Sequence, residues 1–242
     1  MFLSSAASVY TVVGGNGQTT MVATAYSSTI QILASDLAGN PVSGKAVQVL
    51  NVQFGKKQQG TYPTATFLNG SASGLGTTNS SGIATIPIPT ANNLAGPVQF
   101  AINGSLTYVV NFTNLPGAAS TLTANSGSGQ TAGILSPFAG SMVAQVKDSF
   151  GNGVPGAAVT FSPPSTGASI TFAGAATSTT DSTGLATSAI LTANSVLGGP
   201  YTVSASVPGV VAPVTYSLTN GVGSGVAVTV SAGSSPKTTV TI

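Results

Sequence analysis

The chain has 242 residues, of which 42% are hydrophobic and only 3% charged, with five Lys, three Asp, 31 Gly, 14 Pro and no Cys, His or Trp. That length allows one large domain or two ordinary ones with packed cores, but a charged fraction so far below the usual ~25% leaves little ionic chemistry to build with. A net charge of +2, with only Lys56 and Lys57 adjacent, excludes the clustered cations that nucleic-acid binding requires.

From the N-terminus, residues 1–15 carry no basic segment and only a short apolar stretch, so they do not read as a signal peptide. Either such a signal has been removed or the chain is a segment of something longer. No run of about 20 apolar residues follows anywhere, so no membrane-spanning helix is expected.

The chain then repeats itself. Residues 5–20 (SAASVYTVVGGNGQTT) align with 117–132 (GAASTLTANSGSGQTA), placing Gln18 on Gln130 at a spacing of 112. The same spacing puts Asp36 on Asp148, Gly39 on Gly151, Asn40 on Asn152 and Val42 on Val154. Further on, TTNSSGIAT from Thr77 matches TTDSTGLAT from Thr179 at 102, so the first copy holds ten extra residues. AGPVQFAI then matches GGPYTVSA, and NFTN (111–114) matches SLTN (217–220). A third copy starts at Ser224 and stops at Ile242 after its opening strand. This predicts repeat 1 over 1–115, with a longer middle loop at 54–76, repeat 2 over 116–221, and over 222–242 a linker with the opening strand of a third repeat or a donated strand.

Within repeat 2, SMVAQVKD sets Met142, Ala144 and Val146 on one face, and GAAVTFSP sets Val159 and Phe161 on one face. ASITF, GLATSAILT, YTVSASV and PVTYSLT follow, each bounded by Gly, Pro, Asn or Asp. Short strands with a period of two and no 3.6-residue period predict an all-β sandwich. Asp36, Asp148 and Asp181 each open a turn, as does Asn79 at the position matching Asp181; a side-chain oxygen there accepts backbone N–H groups in an Asx-turn. Asn40 and Asn152 close the first two of these turns.

The combination D-x-x-G-N-[PG]-V-x-G (36–44 and 148–156), then T-[DN]-x-x-G-x-A-T (78–85 and 180–187), then the strand that includes Tyr201, resembles the bacterial immunoglobulin-like repeats, group 1, of invasin- and intimin-type surface proteins. The resemblance covers nearly the whole chain, twice. It implies tandem immunoglobulin-like antiparallel β-sandwiches in an extracellular, cell-surface array that projects an adhesive tip or forms a fibre. The chain departs from the pattern at Asn79, at Gly153 where Pro is usual, and in its low charge.

No enzyme is expected. Without Glu, His or Cys, the acyl-transfer and metal-hydrolysis centres cannot be assembled. The remaining option, a Ser–Lys pair, has Lys45 and Lys147 beside turn and strand residues of the repeat. Calcium asks for six to eight oxygens, usually with several carboxylates, and three Asp with turn roles do not supply them, so no metal or other cofactor is expected. The insertion at 54–67, with Lys56, Lys57 and Tyr62, is the candidate contact loop. Asn69, Asn79, Asn103 and Asn111 lie in N-x-[ST] sequons, all in repeat 1. At the C-terminus, Val226, Val228, Val230, Val240 and Ile242 alternate with small or polar residues and form a candidate inter-subunit strand.

These readings point to an extracellular structural repeat protein forming a stalk or fibre that supports adhesion. The partners would be neighbouring repeats, copies of itself, or a host or cell-surface protein or glycan. The alternative is a filament subunit joined head to tail by strand addition through residues 225–242. A glycan-binding module is a third reading, for which a chain with no Trp and six Tyr offers little aromatic platform.

Overall fold

A computed structural model describes residues 9–52 and 62–223. Repeat 1 begins with β1 (Val9–Gly14), β2 (Thr19–Met21), β3 (Ile30–Ser35) and β4 (Ala46–Asn51). The segment read as a longer loop at 54–76 contains β5 (Ala65–Thr66), a 3-10 turn (Leu68–Gly70) and most of β6 (Ser73–Thr77). β7 (Ile83–Ile86), β8 (Thr90–Ala91), β9 (Gly96–Ile102) and β10 (Ser105–Leu115) complete the repeat. β1-β3-β7 form one sheet, and β2-β10-β9-β4-β6 form the facing one.

Repeat 2 reproduces this order. Its strands are β11 (Thr121–Ser126), β12 (Gln130–Gly133), β13 (Val143–Lys147), β14 (Ala158–Ser162), β15 (Ile170–Phe172), β16 (Thr177–Thr179), β17 (Leu185–Thr187), β18 (Leu191–Ala193), β19 (Gly198–Ser206) and β20 (Val214–Gly221). They form sheets β11-β13-β17 and β12-β20-β19-β14-β16. Each repeat also has a small antiparallel two-stranded ribbon, β5-β8 in repeat 1 and β15-β18 in repeat 2. There is no α-helix among the described residues, and so none long and apolar enough to cross a membrane.

The first strand of each repeat splits between sheets. β1 pairs antiparallel with β3, whereas β2 pairs parallel with β10; β11 and β12 do the same with β13 and β20. The crossing passes through Gly15 (φ 73°) and Gly127 (φ 94°), whose backbones approach another strand so closely that a Cβ would lie 2.2 Å from Thr29 O and 2.4 Å from Ser141 O. Glycine is required there on both counts.

Each sandwich has its own core. In repeat 1, Phe67, Phe100, Phe112 and Tyr26 form a chain of ring contacts with centroids 4.4–5.6 Å apart, surrounded by buried Ile30, Ile32, Val47, Val49, Ile86 and Ile102. In repeat 2, Phe161 lies between Phe172 and Tyr216, with Met142, Ala144, Val146 and Val159 buried beside it. Tyr216, fully buried, donates its hydroxyl to Val143 O at 2.7 Å, and burial pushes its pKa up to about 12.

Candidate functional site at the repeat junction

β10 ends at Leu115 and β11 starts at Thr121, so a short linker carrying Pro116 and Gly117 joins the repeats. The junction is built around the turn that follows β13. Asp148, only 2% exposed, accepts the backbone N–H groups of Phe150 and Asn152 on Oδ1, both at 2.9 Å. Its Oδ2 accepts Asn152 Nδ2 at 2.9 Å and the linker amide of Gly117 at 2.8 Å. Burial alone would raise this carboxyl's pKa. The hydrogen bonds from Asn152, Gly117 and Phe150 outweigh that and hold it below the usual carboxylate range.

Asn152 then crosses to repeat 1. Its Nδ2 donates to Asn93 O and its Oδ1 accepts the Ala95 N–H, both at 2.9 Å. The amide orientation is fixed by its partners, since the flipped amide would set Oδ1 against the Asp148 carboxylate and the Asn93 carbonyl. The side chain thus pairs with the 93–95 backbone much as an adjacent strand would. A shallow cleft of about 230 Å³ beside it is lined by Ala95, Leu115, Pro116, Gly153, Pro155 and Ser182, among others.

The receiving turn is itself held from behind. Asn92 Oδ1 accepts the N–H groups of Leu94 and Thr64, each at 3.1 Å, and Asn114 Nδ2 at 3.0 Å. Asn114, 1% exposed, also donates from Nδ2 to Thr64 O and Leu94 O at 3.0 Å, and its Oδ1 accepts the Tyr26 hydroxyl. Desolvation raises the Tyr26 pKa well above its usual value, so the phenol remains a donor. A continuous polar chain therefore runs from Tyr26 through Asn114, Asn92, the 93–95 backbone and Asn152 to Asp148 and the linker.

Repeat 2 carries the same hub at its far end. Asn194 Oδ1 accepts Ser169 N, Val196 N and Asn220 Nδ2 at 3.2, 3.1 and 2.9 Å. Asn220 donates to Ser169 O and Val196 O and accepts the Tyr201 hydroxyl at 2.7 Å. Leu135 takes a left-handed φ of 58°, matching Ala23 at 59° in repeat 1, and its N–H is shared between Ala193 O at 3.1 Å and Asn194 O at 3.4 Å, where that of Ala23 reaches Asn92 O.

The other sequence candidates fall as follows. Asp36 caps the 36–40 turn through Ala38 N, Asn40 N and Asn40 Nδ2 at 2.9–3.0 Å. Asp181 Oδ1 accepts Thr183 Oγ1, Leu185 N and Thr183 N, bonds that lower its pKa, and Asn79 Oδ1 accepts Ser81 N and Ile83 N in the matching geometry. Tyr62 is half-buried and its backbone carbonyl accepts Asn92 Nδ2 at 2.8 Å. Lys56 and Lys57 lie outside the described residues, as do Val226, Val228, Val230, Val240 and Ile242. Asn69, Asn79, Asn103 and Asn111 are exposed; Asn103 Oδ1 accepts Gln48 N and Asn111 Oδ1 accepts Gln99 Nε2, both at 2.8 Å. Among the described residues no group of His, Cys, Asp or Glu could hold a metal.

Asn92, Asn114, Asn194 and Asn220 were not singled out from the sequence. The signal was there: NFTN and SLTN align Asn114 with Asn220, and TAN occurs at 90–92 and again at 192–194.

The fold and the hub-and-turn junction define a tandem immunoglobulin-like sandwich array. No protein-family model matches the sequence, and no curated protein matches it. Among solved structures, InvD of Yersinia pseudotuberculosis is similar, at 18% identity and a TM-score of 0.57 over 88% of this chain and 58% of that one. FdeC, an Escherichia coli adhesin, matches at 21% identity and a TM-score of 0.39 over 88% of this chain and 64% of that one. Invasin, a bacterial integrin-binding protein, matches at 22% and 0.34, over 88% and 39%. At these identities the likeness shows the fold, and of the three the InvD match carries it. The match spans both repeats and agrees with the sequence resemblance to bacterial immunoglobulin-like repeats. The chain spans less than two thirds of the length of each of these structures.

Proposed function

We propose that this chain is a non-enzymatic spacer of an extracellular, cell-surface array, a stalk or fibre that supports adhesion. In this reading residues 1–115 and 116–221 are its two full repeats, and 222–242 are a linker with the opening strand of a third repeat or a donated strand. The observation that carries it is the Asn152 bridge: the repeats are joined by a short linker and also by side-chain hydrogen bonds that fix one sandwich on the next. A joint of that kind holds length and direction, which is what a spacer supplies. The resemblance of both repeats to those of invasin- and intimin-type surface proteins supports the extracellular setting.

Small-angle X-ray scattering on the full chain tests the reading. The expected result is an extended, rod-like particle with one preferred angle between the sandwiches. A broad distribution of angles, or a compact particle with the sandwiches folded side by side, overturns it.

A further inference from the structure

Asn16, Asn69, Asn103, Asn152 and Asn220 are each followed by Gly. Such a pair is chemically labile, because the glycine nitrogen can attack the asparagine Cγ with no Cβ in its way. The backbone sets these pairs apart. Gly17 N donates to Asn111 O at 2.8 Å and Gly70 N to Phe67 O at 3.0 Å, so both nitrogens are engaged. Asn103 stands on the hairpin between β9 and β10, its Oδ1 held by Gln48 N, and Asn220 is 2% exposed. Gly153 N, by contrast, donates to no acceptor among the described residues, and Gly153 lines the open cleft at the junction, where solvent reaches it. The matching turn of repeat 1 has Pro41 after Asn40, and proline has no N–H to give up. The fold that demands glycine at 153, where a Cβ would lie 2.1 Å from Thr183 O, thus places a labile bond in the one turn that bridges the repeats.

We propose that Asn152 is a site of succinimide-mediated deamidation, and that its conversion releases the junction irreversibly. Gly153 N forms a bond to Asn152 Cγ, the Cγ–Nδ2 bond breaks, and Nδ2 leaves as ammonia with the proton from Gly153 N. Water then opens the cyclic imide at either carbonyl, giving aspartate or isoaspartate at this position. In the closed junction Nδ2 donates to Asp148 Oδ2 and Asn93 O, Oδ1 accepts Ala95 N–H, and the main-chain Asn152 O accepts Asp148 N–H. Bringing Gly153 N onto Cγ means rotating the Asn152 side chain and main chain, which breaks those bonds. The reaction therefore runs from the undocked state. Its product does not redock. A carboxylate oxygen in place of Nδ2 faces the Asp148 carboxylate and the Asn93 carbonyl with no proton to offer either, and isoaspartate also lengthens the main chain of the turn. An array would convert with age from stiff joints to free ones. That consequence rests on the spacer reading, whereas the chemistry at Asn152 does not.

Peptide mapping by mass spectrometry tests this on the full chain, aged in heavy-oxygen water at mildly alkaline pH so that each hydrolysed imide carries a label. The expected result is label at Asn152, accumulating about tenfold more slowly than in a free peptide of residues 148–156, because the closed bridge protects it. Asp148→Asn takes away one acceptor of Asn152 Nδ2; it should speed labelling at Asn152 several-fold and leave that at Asn103 unchanged. Asn152→Asp, made as the product, should need two alignment tensors for its residual dipolar couplings without any ageing. No label at Asn152 after the peptide has fully converted overturns the inference. So does labelling that Asp148→Asn leaves unchanged, or a single alignment tensor in Asn152→Asp. Scattering on the freshly prepared chain reports on the spacer reading alone, so the two can fail separately.

Discussion

Two tyrosines from different places supply the same proton. Asn114 and Asn220 are buried at matching positions, and each needs a donor for its Oδ1. In repeat 1 the donor is Tyr26, whose counterpart in repeat 2 is Phe138; in repeat 2 it is Tyr201, whose counterpart in repeat 1 is Val98. What is retained is the hydrogen bond to a buried amide, not the residue that makes it. Leaving such an oxygen without a donor costs about 1–3 kcal/mol. Tyr26→Phe is therefore expected to destabilise repeat 1 by about that amount in denaturant unfolding. Tyr201→Phe has a smaller effect, because Tyr201 is only half-buried and water can replace its hydroxyl. Equal losses from the two substitutions would contradict this account. Gly153 poses a different constraint: a Cβ there would lie 2.1 Å from Thr183 O. Gly153→Ala must displace the turn that carries Asn152, and the expected cost, read from the melting of repeat 2, is about 1–3 kcal/mol.

The Asx-turns divide by what their second oxygen does. Asn79 and Asp181 cap their turns through Oδ1 alone, so a carboxylate and an amide serve equally, and Asp181→Asn should change stability little. Asp148 also uses Oδ2, which accepts both Asn152 Nδ2 and Gly117 N. An amide nitrogen in that place would oppose two donors, so Asp148→Asn is expected to open the linker contact at every pH. In the parent chain the same oxygen makes the junction acid-sensitive. The folded pKa lies below the ordinary value of about 3.9. The stabilisation is therefore complete above about pH 4 and disappears as pH falls through the folded pKa. The Gly117 amide signal, followed by NMR down an acid titration, should move in that window, and a signal that holds still to the lowest pH would refute the assignment.

The strands were legible because each carries an apolar face at a period of two. Met142, Ala144 and Val146, and likewise Val159 and Phe161, are buried as the alternation requires. The Asp turns were legible because few residue types cap a turn, and duplication showed each one twice. The left-handed Ala23 and Leu135 were not legible, since nothing in a non-glycine side chain announces a positive φ. The partner of Asn152 was hidden for a related reason. It is a backbone carbonyl and a backbone N–H, and every residue has those, so no side-chain pattern marks the receiving turn. Only the asparagines behind that turn leave a trace in the sequence.

At the scale of the whole molecule, the question is how much of the array's direction depends on one side chain. The linker between Leu115 and Thr121 limits the distance between repeats but leaves their mutual rotation to other contacts. Asn152 supplies two hydrogen bonds across the gap, and Asp148 ties the linker to the same turn. At about 0.5–1.5 kcal/mol per hydrogen bond, losing both cross-gap bonds shifts the balance between docked and undocked repeats by roughly tenfold. Each sandwich keeps its own core, so Asn152→Ala should leave the melting of repeat 1 nearly unchanged. The angular distribution between the repeats should widen, and scattering should report a shorter mean particle length. Residual dipolar couplings give the sharper reading, because they fix the relative orientation of the two sandwiches. In the parent chain one alignment tensor should fit both repeats, and in Asn152→Ala two should be needed. If one tensor still fits both repeats in the variant, the stiffness of the array comes from the linker, and the side-chain bridge is not what sets its direction.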